Sequence, residues 1–351
     1  MDSEHNTSTP EDRSHVKQLL AIGLIASAIG IALGLLIDWF PTQASEEGKQ
    51  IDTLWDVLII CSVPVFVLVM TVVLYSVWRY RMKPGEEHKD GPPIHGNTRL
   101  EIIWTAIPAI ILVALCSYAY VVLTQVEEAD ARALNVTVVG QQFTWTFYYK
   151  DSSGKTVSSP QLYVPRGRQV NFTVESDDVI HDFWVPAFRL KIDAVPGIRT
   201  HLRATPKTVG QYPVVCAELC GLGHAAMRQT AHVVEPADFD KWLRERAAGA
   251  APGGAAPGGG AAPSGKQVFN DSGCGACHAL ADAGTTGGVG PDLDDVLADK
   301  DAAFIEQSIV DPNAVITPGF SANIMPPNFG QTLQPAELDA VVKYLDEVTG
   351  K

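Results

Sequence analysis

Two short segments of the sequence contain cysteine and histidine at spacings that bind metals or haem. The first spans residues 216–227 and holds, within twelve residues, Cys216, Cys220, His224 and Met227. Thiolate, imidazole and thioether groups form a soft donor set that suits copper better than Mg²⁺ or Ca²⁺. A single copper ion does not need two cysteines, whereas two thiolates can each bridge a pair of metals, so this segment predicts a dinuclear copper site.

A dinuclear site needs a second histidine from another part of the chain. His181 is the best candidate, because it lies at the end of a predicted strand in an aromatic-rich stretch. His201 and His232 lie within alternating strand patterns and are interpreted as ordinary histidines of a β-sandwich. A structural disulfide between the two cysteines is the alternative, but it would leave the neighbouring histidine and methionine without a role.

The second segment, Cys274-Gly275-Ala276-Cys277-His278, has the spacing of covalent c-type haem attachment. Its two thiols can reach the two vinyl groups of one haem, while the histidine binds the iron. The last 88 residues contain one histidine, His278, and one methionine, Met325, so elimination names both axial ligands. A zinc site is the alternative, but the domain lacks a fourth ligand for it.

Three stretches without charge, residues 19–37, 57–78 and 102–126, are each long enough to span a bilayer as a helix. The loop between the second and third carries the basic residues, which predicts that it is cytoplasmic and that the chain after residue 126 lies outside. The first stretch is either a retained helix, the favoured interpretation, or a signal peptide cleaved near Thr42-Gln43-Ala44.

The remaining sequence divides into a β-rich region, a linker and a small helical domain. Short alternating runs with frequent turn residues predict a sandwich or barrel closed by a helix near residue 236. We therefore expect a multi-domain membrane protein with five parts: an N-terminal segment with a hydrophobic span or signal peptide (1–48), a transmembrane helical hairpin (49–129), an all-β domain (130–247), an Ala/Gly/Pro linker (248–263) and an all-α domain (264–351).

The charge is distributed unevenly along the chain. The net charge of −14 excludes a nucleic-acid partner. Residues 130–247 hold 14 basic and 12 acidic side chains, whereas residues 264–351 hold 4 and 13. This contrast favours docking of the acidic C-terminal domain on the β-domain, with the linker supplying a local concentration of order mM.

These motifs together resemble subunit II of the haem-copper cytochrome c oxidases, with a class I cytochrome c domain fused to its end, over roughly residues 50–351. The resemblance implies a cupredoxin barrel that holds a dinuclear CuA centre. It implies that the two cysteines bridge the coppers, that one histidine caps each copper, that the methionine is a weak ligand and that the backbone carbonyl of Glu218 is a further one. The Glu218 carboxylate would also help hold a Mg²⁺ shared with subunit I.

The resemblance also implies roles for Glu101 and Phe143. Glu101, near the start of the third span, matches a glutamate at the entrance of a proton-uptake channel, although it also suits the positive end of a helix. Phe143 stands where relatives that oxidise soluble cytochrome c carry a tryptophan, which favours the tethered haem as the donor. Cys61 and Cys116 lie inside spans and are interpreted as small apolar residues.

The function expected is that of an electron-transfer subunit of a terminal oxidase in the cell membrane, with its copper and haem domains on the outer side. None of the nine histidines lies in a hydrophobic span, so the oxygen-reducing site must belong to a partner. The resemblance implies subunit I with haem a, haem a3 and CuB, subunit III, membrane lipid, and a cytochrome c or cytochrome bc complex as donor. The alternatives are a nitric or nitrous oxide reductase subunit, a copper-delivery protein and a free membrane-anchored electron carrier.

Overall fold

The computed structural model describes residues 10–82, 84–85, 96–249 and 264–350. Residues 1–9 and most of the linker predicted at 248–263 lie outside this described part. The chain forms two compact units: residues 1–39 with 50–125, and residues 40–49 with 126–351.

Within the described residues, the first unit contains three long apolar helices, and each is long enough to cross a membrane. They are α1 (Pro10–Leu36), α2 (Gly48–Tyr80) and α3 (Thr98–Val126). Gly30 and Gly34, one turn apart on α1, lie against Val63 and Ile59 of α2, where an added Cβ would come within 2.7 and 2.6 Å of their side chains. Small residues at this spacing let two membrane helices approach closely.

The β-domain, residues 130–247, contains two five-stranded sheets within the described residues. One has the order β3-β2-β1-β5-β8 and the other β4-β10-β9-β6-β7. The strands are β1 (Leu134–Gln141), β2 (Thr144–Lys150), β3 (Thr156–Ser159), β4 (Leu162–Pro165), β5 (Val170–Ser176), β6 (His181–Val185), β7 (Leu190–Ala194), β8 (Thr200–Ala204), β9 (Gly210–Cys216) and β10 (Arg228–Val234).

Buried aromatic side chains fill the core between these sheets. Trp145, Phe147, Phe172 and Phe183 are each 0% exposed, and the alternation along β5 and β10 turns every second side chain inward. The helix predicted near residue 236 is α4 (Pro236–Ala247), which adds Phe239 and Trp242 to this core. The predicted β-rich fold with a closing helix is confirmed.

Residues 40–49 differ from the expected division of the chain. The sequence predicts residues 40–48 in the N-terminal segment and residue 49 at the start of the helical hairpin, but residues 40–49 belong to the same compact unit as the β-domain. Ala44 is fully buried in its core and forms backbone hydrogen bonds with Ala187 and Lys207, each 2.8 Å long. The reason is that the backbone of this short segment continues the hydrogen bonding of the sandwich, which its own residue pattern does not reveal.

Helices form about half of the C-terminal domain, residues 264–350, and two short strands, which the expected all-α domain does not include, form a hairpin. Its elements are α5 (Gly265–Asp271), α6 (Cys274–Cys277), β11 (His278–Leu280), β12 (Thr285–Gly288), α7 (Leu293–Val296), α8 (Ala302–Val310), α9 (Phe329–Thr332) and α10 (Pro335–Thr349). Val268 and Phe269 of α5 pack with Val341 and Leu345 of α10 in its core. The predicted multi-domain membrane architecture is thus confirmed.

Candidate copper and haem sites

The loop that joins β9 to β10 brings four of the predicted ligands together. Cys216 ends β9 and Met227 immediately precedes β10, so the cysteine loop (residues 216–227) leaves one strand and returns to its neighbour. The backbone N–H of Cys216 donates to the carbonyl of Met227 at 3.2 Å and closes the loop. His181 begins β6, which pairs with β9 on its other side.

The five side chains meet at short sulfur and nitrogen distances. The two sulfur atoms of Cys216 and Cys220 lie 3.9 Å apart, so both thiols are free and the alternative of a disulfide does not hold here. Nδ1 of His181 lies 3.9 Å from the sulfur of Cys216, and Nδ1 of His224 lies 3.5 Å from that of Cys220. The sulfur of Met227 lies 3.8 Å from that of Cys220.

Most of these donor side chains are buried, and a backbone carbonyl joins them. Cys216, Cys220, Met227 and His181 are all at most 8% exposed. The thiol of Cys216 also donates to the carbonyl oxygen of Glu218 at 3.2 Å, so that carbonyl faces the cluster while the Glu218 side chain is exposed. The site thus offers two thiols, two imidazoles, a thioether and a carbonyl, and most of these groups are buried. This donor set fits copper, and the two neighbouring thiols fit two copper ions.

Asp178 orients the imidazole of His181. Its carboxylate lies 2.8 Å from Nε2 of His181 and accepts hydrogen bonds from the backbone N–H groups of Gln142 and Val179. Nδ1 therefore faces the thiols, as a metal ligand requires. Sequence reasoning missed Asp178, although its position three residues before a candidate ligand was a usable signal.

The same contacts perturb the protonation of the two thiols in opposite directions. Burial works against ionisation of Cys216, but hydrogen bonds from His181 and from backbone groups outweigh it and lower the pKa of that thiol. Burial, together with the neighbouring Cys216, raises the pKa of Cys220. The pair thus holds one readily ionised thiol beside one that favours its proton until a cation binds.

The haem motif lies at the start of the C-terminal domain. Cys274 and Cys277 form the two ends of the single-turn helix α6, and His278 follows directly. Nδ1 of His278 donates to the carbonyl oxygen of Pro291 at 2.9 Å, which leaves Nε2 as the unprotonated nitrogen that an iron needs. Burial also lowers the pKa of His278, which keeps the ring neutral.

A cavity of about 460 Å³, here called the haem cavity, opens beside this motif. Both cysteines, His278 and Met325 line it, together with apolar residues such as Phe329 and Leu345. A mostly apolar cavity with two thiols and two axial donors at its wall fits a covalently held haem.

The haem cavity reaches the β-domain. Its lining includes Phe143, Ala226 and Arg228, of which Ala226 belongs to the cysteine loop and Arg228 follows it. The ring of Phe143 lies against two glycines of the loop: an added Cβ at Gly223 would come 2.5 Å from it, and one at Gly221 would come 3.1 Å from it. Phe143 therefore contacts the cysteine loop and borders the haem cavity.

The other predicted residues, Glu101, Cys61 and Cys116, belong to the helices of the first unit. The carboxylate of Glu101 accepts a hydrogen bond from the backbone N–H of Asn97 at 3.2 Å, while the Asn97 side chain accepts one from Leu100, so this pair caps α3. Cys61 and Cys116 lie in α2 and α3 as free thiols.

Comparisons with known proteins cover most of the chain. The family model of the transmembrane domain of cytochrome c oxidase subunit II matches residues 31–122, that of its periplasmic domain matches residues 156–234, and that of cytochrome c matches residues 262–349.

Individual proteins are also similar to parts of this chain. Cytochrome c oxidase subunit 2 of Thermostichus vulcanus is 34% identical over 283 residues, which cover 65% of this chain and 85% of the relative. The subunit 2 of Alkalihalophilus pseudofirmus is 34% identical over 258 residues, covering 70% and 73%. The solved periplasmic domain of subunit II of the Bradyrhizobium japonicum cytochrome oxidase is 30% identical and covers 35% of this chain and 97% of that one, with a TM-score of 0.32.

Proposed function

This chain belongs to the family of cytochrome c oxidase subunits II and ends in a cytochrome c domain, and we propose that electrons enter at its own c-type haem and leave through a dinuclear copper centre. The acceptor in this proposal is haem a of subunit I, where oxygen is reduced to water with proton translocation. As a family member the chain is a subunit of an oxidoreductase complex, is a membrane protein with an extracytoplasmic domain and associates with other oxidase subunits.

The ligands that we propose for copper are His181, Cys216, Cys220, His224, Met227 and the backbone carbonyl of Glu218. Bound copper would supply a one-electron acceptor that the protein side chains lack. The two cysteines would hold the copper through their sulfur atoms. Asp178 orients the ring of His181, and the backbone hydrogen bond between Cys216 and Met227 holds the two ends of the cysteine loop together. The side chain of Glu218, which is exposed, is proposed to help hold Mg²⁺ at the boundary with subunit I.

The ligands that we propose for haem c are Cys274 and Cys277, which attach it covalently, with His278 and Met325 on the iron. The hydrogen bond from His278 to Pro291 fixes the ring for this task.

The position of Phe143 is the observation that carries the proposed route. Its ring borders the haem cavity and packs on Gly221 and Gly223, between Cys220 and His224 of the cysteine loop. The side chain of the preceding Gln142 donates to the carbonyl of Cys220 at 2.5 Å, which ties the same segment to the loop. A single aromatic side chain therefore lies between the two candidate sites, which supports direct transfer within the chain.

The remaining parts of the proposal concern location and partners. The β-domain and the C-terminal domain lie on the outer side of the cell membrane, the complex includes subunits I and III, and the donor is a cytochrome c or a cytochrome bc complex. Glu101 is proposed to lie at the mouth of a proton-uptake channel, a role that its capping of α3 permits because its second carboxylate oxygen accepts no hydrogen bond from Asn97.

Optical spectroscopy of the purified complex tests the proposal. We expect visible bands of haem c and haem a and the near-infrared band of a mixed-valence dicopper centre. After flash reduction of haem c, oxidation of that haem should be matched in time by loss of the near-infrared band as copper is reduced. Absence of the near-infrared band would contradict the copper assignment, and haem oxidation without copper reduction would contradict the route.

A further inference from the structure

A buried arginine joins the β-domain to the C-terminal domain. Arg246 lies in the last turn of α4, and its side chain is 1% exposed. Its guanidinium donates to both carboxylate oxygens of Glu337 on α10, at 2.7 and 3.2 Å. It also donates to the carbonyl of Thr332 at 2.9 Å and, within its own domain, to that of Ser158 at 2.6 Å. Such a two-pronged pairing fixes both distance and orientation.

Glu337 performs a second task within its own domain. It occupies the third position of α10, where its carboxylate also accepts the backbone N–H of Gln334 at 2.7 Å, as part of a capping box. Its side chain is 8% exposed. The carboxylate is therefore held rigidly by the helix that it caps, and the guanidinium of Arg246 meets a fixed partner.

Neutral hydrogen bonds surround this ion pair and extend the contact between the domains. Ser158 donates to the carbonyl of Gln331 at 3.2 Å, and Gln161 donates to that of Asp271 at 2.7 Å. Asn328 donates to the hydroxyl of Thr146 at 3.3 Å. On the β-domain side these contacts come from β2, β3 and the residue before β4, and on the other side from α5, α9 and the residue before α9.

The contact is connected directly to the haem cavity. The short helix α9 carries Thr332, whose carbonyl accepts from Arg246, and also Phe329, which lines the cavity. Leu333, the next residue after α9, lines the cavity as well. A shift of α9 relative to the β-domain would therefore move a cavity wall away from Phe143.

We propose that Arg246 and Glu337 are positioning residues that lock the C-terminal domain onto the β-domain, so that the haem cavity stays against Phe143. The consequence for electron transfer rests on the function proposed above. Docking by this buried pair should depend on salt differently from the docking that the net charges of the two domains predict. Salt screens a buried ion pair far less than it screens exposed charges. The domains remain docked at high ionic strength, and the rate of haem-to-copper transfer changes little with salt.

Two substitutions in the intact oxidase complex test the lock. Arg246→Met keeps an unbranched apolar side chain in place of the aliphatic part of arginine, removes the guanidinium and leaves Glu337 buried without its partner. Glu337→Gln keeps an oxygen that can cap α10 but removes the charge, so it separates the ion pair from the cap. Breaking a buried ion pair by removing one partner costs about two orders of magnitude or more in an equilibrium constant.

Hydrogen exchange measures docking independently of redox activity. In both variants we expect the protection of residues 156–161 and 328–337 to fall by about 100-fold. Flash-induced transfer from haem to copper should slow by about tenfold or more and acquire a dependence on salt. Lys343→Met on α10 and Lys241→Met on α4 are matched controls, because both lysines form exposed pairs on the same helices; neither should change either measurement.

Haem content and the near-infrared band show that each variant is folded and loaded. Unchanged exchange in both Arg246→Met and Glu337→Gln would overturn the lock, as would a loss of protection with no change in the transfer rate. A wild-type complex that shows docking by exchange but no haem-to-copper transfer would instead overturn the proposed function and the positioning role that depends on it, while the structural contact would stand.

Discussion

Nε2 of His181 lies 2.8 Å from a carboxylate oxygen of Asp178, and this contact turns Nδ1 of the ring toward the two thiols of the cysteine loop. The carboxylate is itself held by two backbone N–H groups. The orientation of one candidate ligand thus depends on a residue that does not face the metal position.

Asp178→Ala should therefore weaken copper binding about 10- to 100-fold, the usual cost of losing the outer partner of a metal-bound histidine. The measurement is the copper content of the purified complex after dialysis against a graded chelator. Asp177→Asn is the matched control, since Asp177 is the exposed neighbour and should change nothing. Equal copper retention in the two variants would show that the ring needs no such support.

Phe143→Leu should slow haem-to-copper transfer by about tenfold, which corresponds to about 1.4 kcal/mol in activation free energy. The reason is that the ring fills the space between the haem cavity and Gly223. Phe239→Leu removes a comparably buried aromatic ring from the α4 side of the same core. Phe239→Leu should lower the stability of the β-domain about as much as Phe143→Leu does, but it should not slow haem-to-copper transfer. If both variants slow the transfer, a general loss of packing in the domain is the cause.

His232 should make the β-domain sensitive to acid. Burial lowers its pKa to about 4, and its ring stacks on Tyr163 with centroids 4.5 Å apart. In the unfolded chain the histidine has a pKa near 6.5. Between about pH 6.5 and about pH 4, His232 is therefore protonated in the unfolded chain and neutral in the folded chain. The free energy of unfolding therefore falls as the pH drops through this window, by at most about 3 kcal/mol.

Denaturant midpoints at about pH 7 and about pH 4.5 measure this effect. His232→Gln should remove most of the difference between the two midpoints, whereas His201→Gln, at an exposed strand position, should leave it intact. If His232→Gln loses as much stability at acid pH as the wild type does, other titratable groups cause the loss.

The packing of α1 on α2 predicts that α1 is a retained part of the membrane unit. Besides the close approach at Gly30 and Gly34, the side chains of His15 and Tyr75 are hydrogen-bonded at 2.9 Å. Gly34→Leu should lower the melting temperature of the solubilised complex, because Ile59 occupies the space. Gly23→Leu is the control, since an added Cβ there meets nothing within 4 Å. The intact mass of the mature chain should include residues 10–36.

The candidate ligands could be predicted from the sequence because their chemistry is local. Cys216, Cys220, His224 and Met227 lie on one loop, so their spacing alone brings them together once the flanking strands pair. His181 could also be found, because its position at a strand end places it at the same edge of the sheet as the loop.

The lock between the domains could not be predicted, because it depends on distant packing. Arg246 and Glu337 are 91 residues apart, with the linker between them, and each reads in the sequence as an ordinary charge on a helix surface. Ala44 escaped prediction for the same reason. A small residue in a polar segment gives no sign that its backbone will join a sandwich formed by residues much later in the chain.

Glu337 couples the stability of α10 to the contact between the β-domain and the C-terminal domain. One carboxylate closes the first turn of the last helix and receives the guanidinium of the neighbouring domain, so unfolding of that helix also removes the ion pair between the domains. The β-domain and the C-terminal domain should therefore unfold as one cooperative unit, with a single calorimetric transition where two linked but independent modules would give two.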